Sequence, residues 1–571
     1  MSQTTDLLAR ARAWLAEDPD QETREELTAL LAAAEGEPEG AERIAWSRLA
    51  ERFSDRLQFG TAGLRGELGA GPMRMNRAVV IRAAAGLAAY VKKEGLGDLV
   101  VIGYDARHKS YDFARDTAAV VVGAGLRAAL LPRALPTPVL AFAVRHLGAA
   151  AGVTVTASHN PPQDNGYKVY LGDGSQIVPP ADAGIAAEID AIGSLAEVPL
   201  AEGGWEVLGE EVLEAYLDRA VTVVDPAGPR DLDVVYTPMH GVGRDVLVAA
   251  FKRAGFPAPT VVAEQAEPDP DFPTVSFPNP EEPGAMDLAF RTAASVGPDI
   301  VIANDPDADR CAVAVSDGGT GGTGGTGGAN GGWRMLRGDE VGALLGSALV
   351  AKRARGTFAT TIVSSTLLGR IAAAAGLGYA ETLTGFKWIS RAEGLRYGYE
   401  EALGYSVDPE GVRDKDGITA ALLVAELAAV LKRSGRTLTD LLDDLALEHG
   451  LHATDQLSVR VSDLTVISSA MQRLREQPPT VLAGLKVTRA DDLAAGTPEL
   501  PPTDGLRYYL AGEGVTAARI VVRPSGTEPK LKCYLEVVLP VATAADLGDT
   551  RTRATALLDA IKRDLAAAAG I

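Results

Sequence analysis

The sequence has few cysteines, few positive charges for its size and no long hydrophobic run. Only Cys311 and Cys533 occur among 571 residues, in separate apolar runs without CxxC spacing. This pattern argues against a disulfide framework or a zinc site and is typical of a protein from a reducing cytoplasm. The longest apolar runs are broken by Arg82 and Arg127, and residues 1–20 lack the layout of a signal peptide. We therefore expect a cytoplasmic protein that neither spans a membrane nor is secreted.

The charge balance restricts the partners further. Lys and Arg total 55 and Asp and Glu total 76, which gives a formal net charge of −21. Such a balance repels nucleic-acid phosphates and anionic membranes, so we expect neither as a partner. Any anionic substrate would therefore need a local basic pocket.

The chain length predicts about three to five domains, because a typical domain has roughly 100–200 residues. Apolar residues recur at helical spacing among many acids up to residue 52, which predicts an amphipathic helical lead-in. Beyond it, a strand-like run at 99–103 precedes a helical segment near 113–129. The same alternation of strand-like and helical segments restarts near residue 232, and again with a strand at 361–364. This alternation predicts three α/β units.

The remainder, from residue 451 onward, has strand-like runs at 520–523 and 531–538 and a long Ala-rich helix, which indicates a smaller α+β domain. Near the end of the second unit, the glycine-rich run 318–331 predicts a flexible surface loop between two hairpin strands. The predicted bounds are 1–52 for the helical lead-in, 53–210, 211–335 and 336–450 for the three α/β domains, and 451–571 for the last domain.

A serine follows a predicted strand in the segment VTASHNPP, which begins at Val155. The proline pair ends the segment, so we expect the Ser158 hydroxyl on a tight, exposed turn that can present a nucleophile. Ser, Asn and Pro also favour ordinary polar turns, so this segment alone fits either interpretation.

Three aspartates at alternate positions, Asp305, Asp307 and Asp309, follow an apolar strand-like run. Their carboxylates can converge on one hard cation and leave a position for a phosphate oxygen. A solvated turn is disfavoured, because three like charges within five residues repel one another without a cation. An EF-hand is also disfavoured, because Arg310 and Ser316 occupy the positions of its glycine and final glutamate. The sequence therefore predicts a magnesium loop.

Three further segments offer groups for a phosphosugar. In VRPSGTEPK, which begins at Val522, a Ser-Gly-Thr turn lies between Arg523 and Lys530 and suits a dianionic phosphate. Lys387 of TGFKW can stabilise phosphate charge, and the glutamates of YEEALGY can accept hydrogen bonds from sugar hydroxyls. Each segment alone also fits an ordinary charged loop.

Taken together, the segments resemble the α-D-phosphohexomutases, in that family's order and along nearly the whole chain. The matching segments are GTAGLRG at 60–66, TASHNP at 156–161, DPDADR at 305–310, TGFKW at 384–388, EEALGY at 400–405 and RPSGTEP at 523–529. The resemblance implies a four-domain architecture around a central cleft, with three α/β mixed-sheet domains and a smaller α+β C-terminal domain.

The resemblance also implies a role for each matching residue. Ser158 would be the phosphorylated serine, and it would bind Mg²⁺ together with Asp305, Asp307 and Asp309. The other catalytic residues would be Arg65, His159 and Lys168, with the last two as alternatives for proton transfer. The implied substrate-binding residues are Arg310, Lys387, Glu400, Arg523, Ser525, Gly526 and Thr527.

The substrate is left open between several sugars. The EEALGY segment and the segments at 235–243 and 272–282 resemble the phosphoglucomutase/phosphopentomutase branch, and Ala402 replaces a serine found in many relatives. We expect interconversion of glucose 1-phosphate and glucose 6-phosphate, with pentose or mannose phosphates as alternatives. A bisphosphate synthase, a phosphatase and a non-catalytic sensor are less favoured. The resemblance further implies glucose 1,6-bisphosphate as activator and a monomer or weak homodimer.

Substituting one aspartate tests the predicted metal loop. We expect Asp307→Asn to lower turnover at limiting Mg²⁺ by about tenfold or more, because the cation loses one ligand charge. Initial rates over a range of Mg²⁺ concentrations measure the loss, and circular dichroism checks that the fold is kept. Unchanged turnover at limiting Mg²⁺ would contradict the metal role.

Overall fold

The structure is a computed structural model that describes residues 2–36, 41–59, 63–316, 332–461, 463–498, 500–525 and 530–571. Three predicted features lie outside these residues: the glycine-rich run 318–331, the start of the GTAGLRG segment, and the residues Gly526 and Thr527. Over the described ranges, no helix is long and apolar enough to cross a membrane.

Three helices form the start of the chain, where the spacing of apolar residues predicts an amphipathic lead-in. They are α1 (Ser2–Glu17), α2 (Gln21–Glu35) and α3 (Ala41–Arg52). Asp20 caps α2, because its side chain accepts a hydrogen bond from the backbone N–H of Glu22 at 3.1 Å. Leu27, Leu49 and Phe53 are buried in a small core of this region.

A six-stranded mixed sheet follows, in the strand order β1-β5-β4-β2-β3-β6. Strands β2, β3, β4 and β6 are parallel, whereas β5 is antiparallel to both β4 and β1. The elements are β1 (Leu64–Glu67), α4 (Arg77–Lys93), β2 (Leu99–Tyr104), α5 (Ser110–Gly123), β3 (Arg127–Leu130), α6 (Thr137–His146), β4 (Ala151–Val155), β5 (Asp164–Leu171), α7 (Ala181–Asp190) and β6 (Glu206–Val207).

The second sheet has five strands in the order β11-β10-β9-β7-β8. Strands β10 and β11 pair as antiparallel neighbours on either side of the glycine-rich run, as predicted. The elements from here are α8 (Glu211–Ala220), β7 (Val234–Thr237), α9 (Gly243–Ala254), β8 (Thr260–Val261), α10 (Asp287–Val296), β9 (Ile300–Ala303), β10 (Ala312–Ser316) and β11 (Trp333–Met335).

The third sheet has four strands in the order β13-β12-β14-β15, with β15 antiparallel to β14. Its elements are α11 (Gly338–Ala351), β12 (Thr357–Thr361), α12 (Leu367–Ala374), β13 (Gly378–Thr382), α13 (Phe386–Ile389), β14 (Leu395–Glu400), β15 (Gly404–Ser406), α14 (Gly417–Arg433) and α15 (Leu438–His449).

The last sheet is antiparallel throughout, in the order β16-β21-β20-β19-β18-β17. Its elements are β16 (Leu451–Arg460), α16 (Leu464–Glu476), β17 (Val481–Leu482), β18 (Leu485–Asp492), β19 (Leu506–Gly512), β20 (Val515–Pro524), β21 (Lys530–Leu539) and α17 (Leu547–Ala569). The three mixed α/β sheets and the final α+β unit confirm the predicted fold class.

Two local predictions were wrong. The helix expected near 113–129 is α5, which ends at Gly123, and Arg127–Leu130 is strand β3. Gly125 adopts a left-handed φ of 81° that reverses the chain, a change that an Ala-rich composition does not reveal. The strand expected at 361–364 is β12, which ends at Thr361, where the Thr361 hydroxyl hydrogen-bonds that of Ser364 at 2.8 Å in a turn.

The three predicted functional loops occupy the same topological position in their sheets. We name them the serine loop (156–163), between β4 and β5, the aspartate loop (304–311), between β9 and β10, and the glutamate loop (400–404), between β14 and β15. In each case the chain leaves a central strand and returns as an antiparallel neighbour. Each loop turns through a left-handed residue, at Ser158, Ala308 and Leu403.

One apolar core joins the first three domains. It contains Leu140 of the first, Ile302 of the second, and Leu344 and Tyr397 of the third, all with 0% exposure. A shared core of this kind resists independent movement of the three sheets, because separation would expose apolar surface to water. The three loops are therefore held at fixed distances from one another.

The aspartate loop also rests on the first turn of α14. The backbone N–H of Gly417 donates to the Ala308 carbonyl at 3.2 Å, and the Asn304 side chain donates to the Arg310 carbonyl at 2.6 Å. A Cβ atom at Gly417 would lie 2.2 Å from the Arg310 oxygen and 2.7 Å from the Ala308 oxygen. Glycine is therefore needed for this close backbone approach.

Gly417→Ala tests that approach. We expect the apparent melting temperature to fall by about 2–10 °C, because the methyl group would push backbone atoms apart at a cost of about 1–3 kcal/mol. The matched control is Gly548→Ala in α17, where an added Cβ meets no atom within 4 Å. An equal melting temperature for both variants in thermal denaturation would contradict the tight contact.

Candidate active site

A central cleft of about 940 Å³ is lined by residues from all four sheets. The serine, aspartate and glutamate loops lie along it, and the fourth domain adds Arg523, Lys530 and Lys532. Among the described residues, ten Lys and Arg side chains and eight Asp and Glu side chains line it, so the cleft has a small positive excess in a protein whose net charge is −21. Such a surface attracts an anionic small molecule that the rest of the protein would repel.

Ser158 lies at the floor of this cleft. Its Oγ donates a hydrogen bond to Asp305 Oδ2 at 2.7 Å and is 3.2 Å from His159 Nδ1. Its backbone N–H donates to Thr156 Oγ1 at 2.9 Å, which stabilises the left-handed turn. The expectation of an exposed turn is wrong, since Ser158 is only 2% exposed. The aspartate loop of the next domain packs against it and covers it.

Arg107, which sequence reasoning missed, holds the serine loop in place. Its Nη2 donates to the carbonyls of Ser158 at 2.6 Å and Asn160 at 2.5 Å, and its Nη1 to those of Pro161 at 2.8 Å and Asp164 at 3.2 Å. A planar guanidinium can reach four oxygens in this way, whereas an ammonium cannot. The only signal in the sequence is a basic residue shortly after strand β2.

The three predicted metal aspartates form one cluster. Each offers a carboxylate oxygen within 4.8 Å of the others, and all three side chains are fully buried. Burial, reinforced by the charges of Asp307 and Asp309, raises the pKa of Asp305 well above its usual value. Burial would also raise the pKa of Asp307, but the charge and hydrogen bond of Lys168 outweigh it and lower that pKa.

The cluster fits a divalent metal ion. One oxygen of each of two aspartates is held, since Asp307 Oδ2 accepts from Lys168 Nζ at 2.7 Å and Asp309 Oδ2 from the same atom at 2.9 Å. The other oxygens, Asp307 Oδ1 and Asp309 Oδ1, are buried without a hydrogen-bond partner among the residues described. Unpaired buried carboxylate oxygens are costly, and they are the ligands that hard cations such as Mg²⁺ prefer.

Positive side chains surround the serine and the aspartates. Arg65 Nη1 donates to Asn160 Oδ1 at 3.2 Å, and Arg310 Nε lies 3.8 Å from Asp305 Oδ2. Burial would lower the pKa of Lys168, but Asp307 and Asp309 outweigh it and raise that pKa. Its ammonium therefore stays charged at neutral pH.

His159 is neutral by contrast. Burial, followed by the charges of Arg310 and Arg65, lowers the pKa of its imidazole well below the usual value. A neutral ring nitrogen beside the Ser158 hydroxyl can accept a proton, whereas the Lys168 ammonium, which donates to two carboxylates, cannot.

The third domain contributes Lys387 and Glu400 to the cleft. Lys387 is 5% exposed, its Nζ has no hydrogen-bond partner within the described part of the chain, and burial lowers its pKa to about 8. Burial raises the pKa of Glu400. Its neighbour Glu401 accepts hydrogen bonds from Thr361 at 3.2 Å and Ser364 at 3.0 Å, so it is turned toward its own domain.

The fourth domain places Arg523 and Ser525 at the end of β20. The backbone N–H of Ser525 donates to the Lys530 carbonyl at 2.8 Å, and Gly526 and Thr527, which follow Ser525 in the sequence, are not among the described residues. Lys532, which sequence reasoning missed, pairs with Arg523 across β20 and β21 and lines the cleft. The spacing of two residues between Lys530 and Lys532 could have indicated that both side chains lie on the same face of a strand.

Two other contacts of the aspartates were missed. The backbone N–H and hydroxyl of Thr137, at the start of α6, donate to the carbonyl and Oδ2 of Asp307 at 2.9 Å and 2.7 Å. Lys415, just before α14, places its Nζ 3.4 Å from Asp309 Oδ2. Neither residue lies in a segment with a local chemical pattern, so only the folded arrangement reveals them.

Comparison with known proteins agrees with this arrangement. Four profiles of one family match the chain in order: Phosphoglucomutase/phosphomannomutase, alpha/beta/alpha domain I at residues 56–196, domain II at 214–319, domain III at 337–448, and the C-terminal domain at 476–553. The chain belongs to the phosphoglucomutase/phosphomannomutase family. The predicted family and enzyme class are confirmed: the protein is a phosphosugar mutase, an isomerase.

Relatives of this mutase have names that refer to different sugars. The chain is 48% identical to the "Probable phosphomannomutase" of Haemophilus influenzae, over 81% of this chain and 93% of that protein. It is 35% identical to the "Probable phosphoribomutase" of Schizosaccharomyces pombe, over 96% of each. A phosphoglucomutase/phosphomannomutase family protein from Burkholderia thailandensis has the same fold, with a TM-score of 0.66 at 19% identity over 89% of this chain and 97% of that one.

Arg107→Lys tests whether the guanidinium positions the serine loop of the mutase. We expect turnover to fall by about 100-fold, because the lysine keeps the charge but releases most of the four carbonyls and lets Ser158 shift. The control is Arg127→Lys, whose guanidinium forms an exposed pair with Asp98 at 2.8 Å. Initial rates measure both variants, and turnover of Arg107→Lys within twofold of the control would contradict the positioning role.

Proposed function

We propose that this phosphosugar mutase moves a phosphoryl group between the 1-position and the terminal carbon of an aldose, using Mg²⁺ and a phosphoserine at Ser158. The proposed substrate pair is glucose 1-phosphate and glucose 6-phosphate. The observation that supports it most is Ser158 Oγ, 2.7 Å from Asp305 Oδ2 at the floor of a cleft lined with cations from several domains.

The first transfer produces a bisphosphate. The free hydroxyl oxygen of the sugar monophosphate forms a bond to the phosphorus of phospho-Ser158, while the bond from that phosphorus to Ser158 Oγ breaks. We assign the hydroxyl proton to His159, because its Nδ1 lies 3.2 Å from Ser158 Oγ and Lys168 already donates to two carboxylates. His159 passes a proton to the departing Ser158 Oγ, so the products are a sugar bisphosphate and unmodified Ser158.

The second transfer restores the phosphoserine. The bisphosphate turns around in the cleft, whose volume of about 940 Å³ leaves room for this movement. Ser158 Oγ then forms a bond to the other phosphorus, the bond from that phosphorus to the sugar oxygen breaks, and the proton returns to the sugar oxygen through His159.

An enzyme that loses the intermediate is left without its phosphate, so we propose glucose 1,6-bisphosphate as the activator that restores it.

Positive charge near the transferred group is the main catalytic contribution. Mg²⁺ would be held by Asp305, Asp307, Asp309 and a phosphate oxygen of phospho-Ser158, and it would neutralise charge on the transferred group. Arg65, Arg310 and Lys168 surround the same point. Charges fixed in a buried site stabilise a phosphoryl transition state more strongly than they would in water.

The far end of the substrate would contact the third and fourth domains. We propose that Arg523 and Ser525, together with Gly526 and Thr527 of the same sequence turn, bind the phosphate that is not reacting. Lys387 adds a positive charge on that path: its Nζ has no hydrogen-bond partner among the described residues and lies 5.2 Å from the centroid of the Trp388 ring. Glu400 would accept hydrogen bonds from sugar hydroxyls. A monomer or weak homodimer in the cytoplasm stays a prediction.

A pentose phosphate is the second candidate substrate. Ala402 offers no hydroxyl to the sugar, where many relatives of the resembled family have a serine. The relative named phosphoribomutase also aligns over 96% of this chain. Both observations support a pentose phosphate as the alternative substrate.

One experiment ranks the substrates and tests the nucleophile. Purified protein receives Mg²⁺, trace glucose 1,6-bisphosphate and equal amounts of glucose, mannose and ribose 1-phosphates, and phosphorus NMR follows the products. We expect terminal phosphates to appear, fastest from glucose 1-phosphate, and to be reduced by about 1,000-fold or more in Ser158→Ala. The control is Ser295→Ala, an exposed serine at the end of α10.

Other outcomes would overturn the proposal in recognisable ways. Free inorganic phosphate would indicate a phosphatase, and a requirement for 1,3-bisphosphoglycerate would indicate a bisphosphate synthase. Binding without turnover would indicate a sensor. Full activity of Ser158→Ala would remove the phosphoserine from the mechanism, and full activity after chelation would remove Mg²⁺.

A further inference from the structure

Lys415 lies between the aspartate loop and the glutamate loop, and the mechanism proposed above does not use it. It lines the cleft, yet it is only 7% exposed. A buried ammonium is costly unless it is paired, so its position calls for a physical reason. The contacts of its backbone, of the aliphatic stem of its side chain and of its ammonium group supply this reason.

Contacts on both sides fix the backbone of Lys415. Asp414 Oδ2 accepts hydrogen bonds from Tyr170 at 2.8 Å and Gln176 at 2.7 Å, which tie it to the first domain. Asp416 caps α14 by accepting from the backbone N–H groups of Ile418 at 3.0 Å and Thr419 at 3.1 Å. Lys415 therefore enters the cleft from a rigid point between two anchored aspartates.

The stem of Lys415 packs across Gly404, in the glutamate loop. A Cβ atom at Gly404 would lie 2.2 Å from Lys415 Cδ and 3.0 Å from Glu400 Cγ. The absence of a side chain at Gly404 therefore lets the stems of Lys415 and Glu400 approach the same point. Burial raises the pKa of Glu400, and the positive charge of Lys415 opposes this rise.

The ammonium group at the end of the Lys415 side chain lies beside the aspartate loop. Its Nζ lies 3.4 Å from Asp309 Oδ2, the oxygen that also accepts from Lys168 at 2.9 Å. Two ammonium groups thus lie beside one oxygen of Asp309, whereas Asp309 Oδ1 has no hydrogen-bond partner in the described ranges and lies 3.9 Å from Arg310 Nε. Holding Oδ2 limits the orientations of the carboxylate and leaves Oδ1 without a hydrogen bond and available to a metal ion.

We propose that Lys415 is a positioning residue that aims Asp309 at the metal and fixes Glu400 beside it, so that the metal site and the sugar site are aligned by one charge. The part that concerns Glu400 rests on the proposed function. The part that concerns Asp309 depends only on metal binding, so the two can fail separately.

Direct metal binding tests the first part without turnover. The protein as purified is titrated with Mn²⁺, and electron paramagnetic resonance measures the free ion. We expect Lys415→Met, which keeps the stem and removes the charge, to weaken Mn²⁺ binding by about tenfold or more. The matched control is Lys432→Met in α14, where the lysine forms a half-exposed pair with Asp299 at 2.8 Å.

Kinetics at saturating Mg²⁺ test the second part. We expect KM for the best phosphosugar to rise about fivefold in Lys415→Met, because a misdirected Glu400 loses roughly one hydrogen bond. A merely structural role would lower the melting temperature and the active fraction without changing KM or the affinity of the folded protein for Mn²⁺. The melting temperature of each variant is therefore measured beside both constants.

A second variant keeps the proposal open to refutation if Lys415→Met does not fold. Lys415→Gln retains a polar donor without the charge and should show the same two losses. In either folded variant, Mn²⁺ affinity within twofold of the unaltered protein would overturn the part that concerns Asp309, and KM within twofold would overturn the part that concerns Glu400. No Mn²⁺ binding by the unaltered protein would also overturn it, whereas Mn²⁺ binding without mutase activity would overturn the proposed function instead.

Discussion

The repulsion among three buried carboxylates is the constraint on which the rest of this structure depends. Asp305, Asp307 and Asp309 each offer an oxygen within 4.8 Å of the others, with no solvent around them. Such a cluster is stable only if positive charge and hydrogen-bond donors surround it. The first domain supplies Ser158 and Lys168, and the region before α14 supplies Lys415. The domains are therefore held together at the proposed site of the chemistry.

The fold meets this constraint by repeating one topology three times. In each α/β sheet, the loop after a central strand carries functional side chains, and the loop after another strand of the same sheet supports it. Arg107, after β2, holds the carbonyl of Ser158 at 2.6 Å, and Val242, after β7, donates to the Pro306 carbonyl at 2.8 Å. Ser364, after β12, donates to Glu401 at 3.0 Å. These supporting contacts keep strained left-handed residues in place.

The distribution of charge explains how an acidic protein can select an anionic substrate. Its formal net charge of −21 repels anions in general, but arginines and lysines from several elements converge on the cleft. The burial of Lys387, whose pKa falls to about 8, shows that some of this positive charge has no protein counter-ion among the described residues. A phosphate group would supply the missing counter-charge.

The sequence by itself determined the fold class and the chemical groups. Its α/β rhythm, the alternate aspartates and the serine turn each follow from local spacing, which neighbouring residues in the chain control. Only the tertiary structure decided that Ser158 is buried, that α5 ends before β3, and that Arg107, Thr137, Lys415 and Lys532 belong to the site. These features depend on contacts between residues far apart in the chain. Thr137 and Asp307 are 170 positions apart, so no local pattern could have placed their side chains 2.7 Å from each other.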